Sequence, residues 1–157
     1  MKYVFDNNTL AAIFRHYYYD RFPSFWEKFN QLLDNKEIIS VREVRREIES
    51  LNRGDNLDDW VKNNTDFFED PTKEELQFIT IIYSIKHFQQ NLNKKKLLHG
   101  GAFADPFIIA KAKINNAIVV TQEKFKDNAA QIPNICNHFN IECIDVIDMF
   151  REESWKF

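Results

Sequence analysis

Short apolar runs alternate along this chain with stretches whose apolar residues have helical spacing. Four of the runs predict buried strands, at 2–5, 37–39, 117–121 and 141–144. Strands that alternate with helices form parallel sheets with right-handed crossovers, covered by helices on both faces. The pattern therefore predicts an α/β fold: a three-layer α/β/α sandwich around a central parallel sheet of about four strands.

Two residue pairs have the spacing of a capping box, in which Ser or Thr caps a helix and Glu three positions later reaches back to the cap. Ser40 and Glu43 predict such a start for a helix that directly follows the second strand. Thr72 and Glu75 predict a longer helix, 73–88, that supplies the bulk of the core. Further helices are predicted at 9–19, 23–33, 57–62, 133–139 and 145–150, and Asp105 with Pro106 opens one more.

The composition fits one domain. The chain has 157 residues, of which 44% are hydrophobic and 15% aromatic, with only three Gly and four Pro. That length suffices for one core, and the scarcity of Gly and Pro leaves little room for a linker or a low-complexity segment. We therefore expect a single domain over 1–157.

Charge and apolar content limit the possible environments of the protein. The formal net charge of −3 argues against a general nucleic-acid coat, because phosphate binding draws on Lys and Arg. The opening MKYVFDNN reaches an acid too soon for a secretory signal, and no apolar stretch approaches the roughly 18 residues of a membrane span. We expect a soluble, cytoplasmic protein without membrane contact. Cys136 and Cys143 lack C-x-x-C spacing and are interpreted as reduced packing residues rather than a disulfide or metal pair.

Four acidic residues stand where an open α/β sheet gathers its functional groups. Asp6 closes the first apolar run, and Glu47 lies on the helix after the second. Asp105 begins a helix, and Glu123 follows the run AIVVTQ. Hard divalent cations such as Mg²⁺ prefer carboxylate oxygens and need no His or Cys ligand. The sequence therefore predicts a divalent metal site at one edge of the sheet.

The same segments resemble the motifs of PIN-domain nucleases. YVFDNNTL resembles their first motif, ISVREVRREI the second, ADPFIIAKAK the third, and IVVTQE their strand followed by Thr-x-acid. The four occur in the family's order over nearly the whole chain. The long aromatic first third and the tail IPNICNHFNIECIDV look closest to a little-characterised bacterial PIN-like subfamily. That subfamily is akin to the toxin ribonucleases of VapBC-type toxin–antitoxin pairs.

The resemblance implies a Mg²⁺- or Mn²⁺-dependent endoribonuclease, with RNA as substrate and a protein antitoxin as partner. The aromatic residues in excess of what the core needs would form an antitoxin surface or that of a homodimer. In that chemistry the metal lowers the pKa of a bound water and neutralises charge on the phosphoryl oxygens. The matching positions are Asp6, Glu47, Asp105 and Glu123 for the metal and catalysis, with Asn8 and Thr121 as polar groups that orient the ligands.

Several assignments stay open at this point. Glu43 and Glu47 lie on one helix face, and we favour Glu47 as the ligand because the capping box gives Glu43 a structural role. The family has Asp in place of Glu123, so Asp127, one turn later, is an alternative. Asp105 also stands where an ordinary N-cap residue would.

Two other function classes compete with the nuclease. A non-catalytic PIN-like module that binds protein or RNA would keep the acids as a vestige. A haloacid-dehalogenase-like phosphohydrolase needs a second Asp two residues after the first, where this chain has Asn8. Beside a nuclease cleft, one group of lysines would hold RNA phosphates: Lys94–Lys96, Lys111, Lys113, Lys124 and Lys126.

Overall fold

The computed structural model describes residues 1–92 and 103–157, so the predicted phosphate-binding run at 94–96 lies outside the described residues. The described strands are β1 (Tyr3–Phe5), β2 (Ile38–Val41), β3 (Phe68–Glu69), β4 (Ile118–Val120) and β5 (Cys143–Ile144). They form one parallel sheet in the order β3-β2-β1-β4-β5. The predicted α/β/α fold is confirmed, with five strands instead of about four. The strand that sequence reasoning missed is β3, whose two residues are too few to show a periodic pattern.

Helices cover both faces of this sheet. They are α1 (Asn7–His16), α2 (Pro23–Asp34), α3 (Arg42–Leu51), α4 (Asn56–Asn63), α5 (Lys73–Ser84), α6 (Asp105–Asn115), α7 (Ile132–His138) and α8 (Val146–Glu152). Short 3-10 turns lie at Thr65–Phe67 and Lys86–Phe88, and residues 89–92 are helical again. On one face α6 packs across β1, β2 and β4, with α5 and α7 beside it. No helix in the described ranges is both long and apolar enough to cross a membrane.

The order of the strands places a switch point between β1 and β4. The chain first builds the sheet from β1 towards β2 and β3, and later returns to the other side of β1 with β4 and β5. Phe5 pairs with Val120 in the parallel register, and the Asp6 amide donates to the Val120 carbonyl at 3.1 Å. The residues that follow these strands, Asp6 and Thr121, therefore lie side by side. Open α/β sheets bind their ligands at this place.

The core is built mainly from the sheet and from aromatic residues of α2. All three residues of β1 are fully buried, and the Phe5 ring packs against Phe29 of α2 at a centroid distance of 6.3 Å. The prediction that one helix over 73–88 supplies the bulk of the core was wrong. Extended backbone at Ile85 ends α5 at Ser84, and Ile81 on that helix is 51% exposed.

One of the two predicted capping boxes is present. Thr72 accepts from the Glu75 amide and Glu75 reaches back to the Thr72 amide, both at 3.2 Å. The prediction of a capping box at Ser40 was wrong. Ser40 is a fully buried strand residue, so its hydroxyl needs a partner inside the sheet and donates to the Phe5 carbonyl at 2.6 Å. The N-cap of α3 is Val41, which makes no side-chain cap bond.

A buried ion pair joins α5 to α6. Lys111 Nζ lies 3.0 Å from Glu75 Oε1, and both residues are 1% exposed. A second carboxylate, on Glu69, lies 3.3 Å from the same ammonium, which also donates to the Asp70 carbonyl. The expectation that Lys111 holds RNA phosphates was therefore wrong, because its ammonium is buried and paired with two carboxylates.

Candidate functional site: a carboxylate cluster at the switch point

Asp6 lies at the centre of the site. It follows β1, is 5% exposed, and its Oδ1 caps α1 by accepting from the Asn7 amide at 2.6 Å. Its Oδ2 accepts from the Thr121 hydroxyl at 2.8 Å. Burial, followed by the negative charges of Asp105 and Glu123, raises the pKa of Asp6 to about 8. Glu47 acts on the pKa of Asp6 in the same sense but less, while the Thr121 hydrogen bond opposes these effects. The other three predicted acids are therefore close enough to Asp6 for their charges to change its pKa.

Glu47 reaches the site from α3. Its Oε1 accepts from the Ala104 amide at 2.7 Å, and its Oε2 lies 3.5 Å from Nδ2 of Asn7. The contact with Ala104 ties α3 to the residue before α6. Glu43, one turn earlier on α3, instead pairs with the neighbouring Arg42 and is not among the charges that raise the pKa of Asp6. The structure therefore places Glu47, and not Glu43, beside Asp6.

Asp105 is held by a buried amide that sequence reasoning did not find. Asp105 is 3% exposed, and its Oδ2 accepts from Nδ2 of Asn91 at 2.8 Å. Asn91 also donates to the Ala130 carbonyl at 3.0 Å and accepts from the Tyr83 hydroxyl at 3.1 Å. Burial, and then the charge of Asp105, raise the pKa of Tyr83, so its hydroxyl stays a donor at neutral pH. The N-cap of α6 is Ala104 and Asp105 is the first helical residue, so Asp105 does not occupy the N-cap position.

Glu123 lies in the loop after β4, half-buried. Its Oε2 accepts from the Ile132 amide at 2.9 Å, at the start of α7, and its own amide donates to the Thr121 hydroxyl at 3.2 Å. The first bond ties the Glu123 carboxylate to the start of α7, and the second ties the Glu123 backbone to Thr121. Asp127, the alternative, is exposed and does not act on the pKa of Asp6.

Asn8 and Thr121 connect α1 to the loop after β4. Asn8 Oδ1 accepts from the Gln122 amide at 2.9 Å and lies 3.3 Å from the Thr121 hydroxyl. The Thr121 hydroxyl is closer to Asp6 Oδ2, at 2.8 Å, so it donates its proton to Asp6. Thr121 therefore holds one oxygen of the Asp6 carboxylate, and Asn8 holds the loop that carries Thr121.

A family model described as "Domain of unknown function (DUF4411)" matches residues 3–157. The chain belongs to the DUF4411 family. No curated protein and no solved structure matches it. In this DUF4411 chain, the matched range includes the five strands and all four acids.

The donor set of the DUF4411 site suits a hard cation. It consists of carboxylate oxygens with amide and hydroxyl oxygens nearby, and the acids around the buried Asp6 carry negative charge that a cation would neutralise. Within 1–92 and 103–157, no three His, Cys, Asp or Glu side chains form a group that could hold a metal ion as they stand, so the site is not a preformed cage. Mg²⁺ does not require such a cage, because it usually keeps several waters and contacts only one or two carboxylates directly. The residues therefore fit a hydrated Mg²⁺ or Mn²⁺ ion.

The remaining predicted phosphate contacts divide by position. Lys113 lies in the last turn of α6, at the end of that helix away from Asp105, where its Nζ donates to the Phe139 carbonyl at 2.9 Å. Lys124 pairs with Asp145 at 2.8 Å, which raises the pKa of Lys124. Lys126 is exposed on the loop that carries Glu123. Among the described lysines of this group, only those near Glu123 are placed to meet a substrate at the site.

Proposed function

We propose that this DUF4411 domain is a metal-dependent endoribonuclease of the PIN-like type, hydrolysing RNA phosphodiester bonds. The observation that carries the proposal is the Asp6 carboxyl group at the switch point of the sheet, whose pKa is raised first by burial and then by three other acids. Gathering like charges costs free energy, and a divalent cation bound among them offsets that cost. The motif resemblance to PIN-domain nucleases supports RNA as the substrate.

The proposed roles follow from how each acid is held. Asp6 and Asp105 would be the inner metal ligands, because both are buried and each has an oxygen fixed by a neutral donor, Thr121 and Asn91 respectively. Glu47 and Glu123 would act at the rim, since both are only half-buried and each uses one oxygen to hold a backbone amide at or next to the start of another helix. A Mg²⁺ or Mn²⁺ ion bound there supplies an activated water and neutralises charge developing on the phosphoryl oxygens.

The phosphohydrolase alternative is less well supported. That chemistry needs a second acid two residues after the first, to protonate the leaving group. Asn8 occupies this position, and its Oδ1 accepts from the Gln122 amide at 2.9 Å. An amide side chain supplies no proton at neutral pH, so the acid that the phosphohydrolase chemistry needs is missing at this position.

Purified protein is expected to cleave single-stranded RNA with Mg²⁺ or Mn²⁺, and EDTA should abolish cleavage until metal is added back. Asp105→Asn should lower the rate at least about 100-fold, because it keeps the shape of the side chain and removes a charge that the ion needs. The matched control is Asp127→Asn, the same change on an exposed acid, which should retain the wild-type rate. Gel analysis of end-labelled RNA measures both. RNA that binds the wild type but stays intact in both metals would favour the non-catalytic module.

We further propose, from the resemblance alone, that the domain is the toxin of a toxin–antitoxin pair. Expression without a partner should then arrest bacterial growth, and Asp6→Ala should relieve the arrest because it removes the central carboxylate. Growth curves after induction, with immunoblots to match protein levels, measure the effect. Arrest by Asp6→Ala as strong as by the parent would show that toxicity does not depend on the site.

A further inference from the structure

An open groove adjoins the carboxylate cluster, between α3, α5 and the start of α6. Its volume is about 560 Å³, within the range of roughly 300–1,000 Å³ that is usual for pockets holding small molecules. One wall is largely aromatic, and the other carries charged side chains of α3. The residues that matter are Tyr83, Phe103 and Phe107 on the first wall, and Arg42, Glu43 and Arg46 on the second.

The groove and the carboxylate cluster are built on the same helices. Arg46 directly precedes Glu47 on α3, so one helix turn presents a cation to the groove and a carboxylate to Asp6. On the opposite side, Tyr83 lines the groove and its hydroxyl donates to Asn91, which holds Asp105. The groove is therefore connected to the carboxylates on both sides, by α3 on one and by Tyr83 and Asn91 on the other.

The two arginines of the groove differ in their partners. Arg42 is neutralised by Glu43, with Nη2 2.7 Å from Oε1, and lies 3.4 Å from a carboxylate oxygen of Asp70. Arg46 is exposed, and none of the described residues forms an ion pair with it. In a protein of net negative charge, Arg46 supplies uncompensated positive charge at the mouth of an aromatic groove.

We propose that this groove is a nucleotide subsite for single-stranded RNA, next to the bond that is cleaved; the inference rests on the proposed ribonuclease function. A nucleobase lies against the Phe107 side of the groove, and the Arg46 guanidinium contacts a phosphate of the same strand. Aromatic faces that stack bases, combined with cations that follow the backbone, are how proteins hold single strands without reading their sequence. A protein partner fits less well, because a stable protein interface buries about 1,600 Å² in total, far more than one pocket of this size offers.

The test measures RNA binding apart from RNA cleavage. A fluorescently labelled ten-nucleotide single-stranded RNA is titrated, with EDTA present, against variants made in an Asp6→Asn background, and anisotropy gives the Kd. Arg46→Ala should weaken binding about fivefold and reduce the slope of log Kd against log salt by about 0.7, the value for one phosphate contact on a single strand. Phe107→Leu should weaken binding about tenfold without changing that slope, since it removes a stacking face and no charge.

Matched controls lie at the other end of the sheet. Arg151→Ala removes an exposed arginine of α8, close to where Glu153 pairs with Lys2 ahead of β1. Tyr18→Leu removes an aromatic ring that is 58% exposed beyond the end of α1. Both should leave the Kd and the salt slope unchanged. Thermal melts of each variant verify folding, and the exposed Arg46 provides a test even if Phe107→Leu is destabilised.

Each outcome has a defined consequence. If the Arg46→Ala and Phe107→Leu proteins bind RNA as tightly as the parent does, the subsite is overturned. A finding that the wild type cleaves RNA with metal would still stand. Variants that keep RNA binding but lose a co-purifying protein would make the groove a protein-docking surface and also overturn the proposal. A wild type that cleaves no RNA would refute the ribonuclease function even where both variants lose RNA affinity.

Discussion

In metal-free buffer at pH 7, the Asp6→Asn variant is expected to unfold at a higher temperature than the wild type while cleaving no RNA. The pKa of Asp6 is raised to about 8 by burial and by Asp105 and Glu123, whereas in the unfolded chain it lies near its ordinary value of about 4. Between these values the folded state binds more protons, so the stability of the wild type falls as pH rises from about 4 to about 8. Asn does not titrate. The stability that the Asp6→Asn variant gains over the wild type should therefore grow as the pH rises from about 4 to about 8, and should level off at higher pH.

The hydrogen bonds around residue 6 can be kept when Asp6 is replaced by Asn. The amide oxygen of the new side chain can keep the bond from the Asn7 amide, and its NH₂ group can face the Thr121 hydroxyl. That hydroxyl can then turn its proton to Asn8 Oδ1, 3.3 Å away. Thermal melts from pH 5 to pH 9 measure the effect, and each kcal/mol shifts the unfolding temperature by about 2–4 °C in a protein of this size. A variant less stable than the wild type at pH 8, with Asp127→Asn unchanged, would contradict the account.

Lys111→Met is expected to be the most destabilising of the substitutions considered, by about 3–5 kcal/mol, which corresponds to about 6–20 °C in unfolding temperature. It leaves the Glu75 carboxylate, 1% exposed, without the ammonium that lies 3.0 Å away. Adding Glu75→Gln should recover much of the loss, because Gln carries no charge and can still reach the Thr72 amide in the capping box.

Calorimetric melts at pH 7 test this expectation. The control Lys113→Met makes the same change two positions later, where the side chain is exposed, and should shift the unfolding temperature little. If Lys111→Met unfolds within about 2 °C of the wild type, the buried pair contributes no more than a surface one.

The fold followed from the sequence where local patterns agree with tertiary structure. Strand β1 is apolar throughout because both faces of the sheet are covered, and that burial is why its sequence shows as a run. The Ser40 prediction failed because a capping signal is local, while the hydroxyl is satisfied by Phe5, a residue of another strand. Spacing along the chain cannot distinguish these two partners.

The candidate site was predictable only in part for the same reason. Asp6 was found because its place at the end of a strand puts it at the sheet edge, which follows from the α/β pattern alone. Asn91 and Tyr83 were missed because each lies in a helical stretch with no local signal. Their role comes from contact with Asp105 across the fold. The Lys111 prediction was wrong for a related reason: the residues near Lys111 in the sequence do not reveal that it is buried in an ion pair with Glu75.

The most direct measurement of the central claim is a calorimetric titration of Mn²⁺ at pH 7 into the wild type, Asp6→Asn and Asp127→Asn. The account predicts that the wild type and Asp127→Asn bind the ion and that Asp6→Asn does not. Binding should also release close to one proton per site, because Asp6, with its pKa at about 8, must lose its proton to become a ligand. Buffers of different ionisation enthalpy give that number. Equal affinity in Asp6→Asn, or binding without proton release, would show that the ion does not bind to Asp6 and would contradict the account.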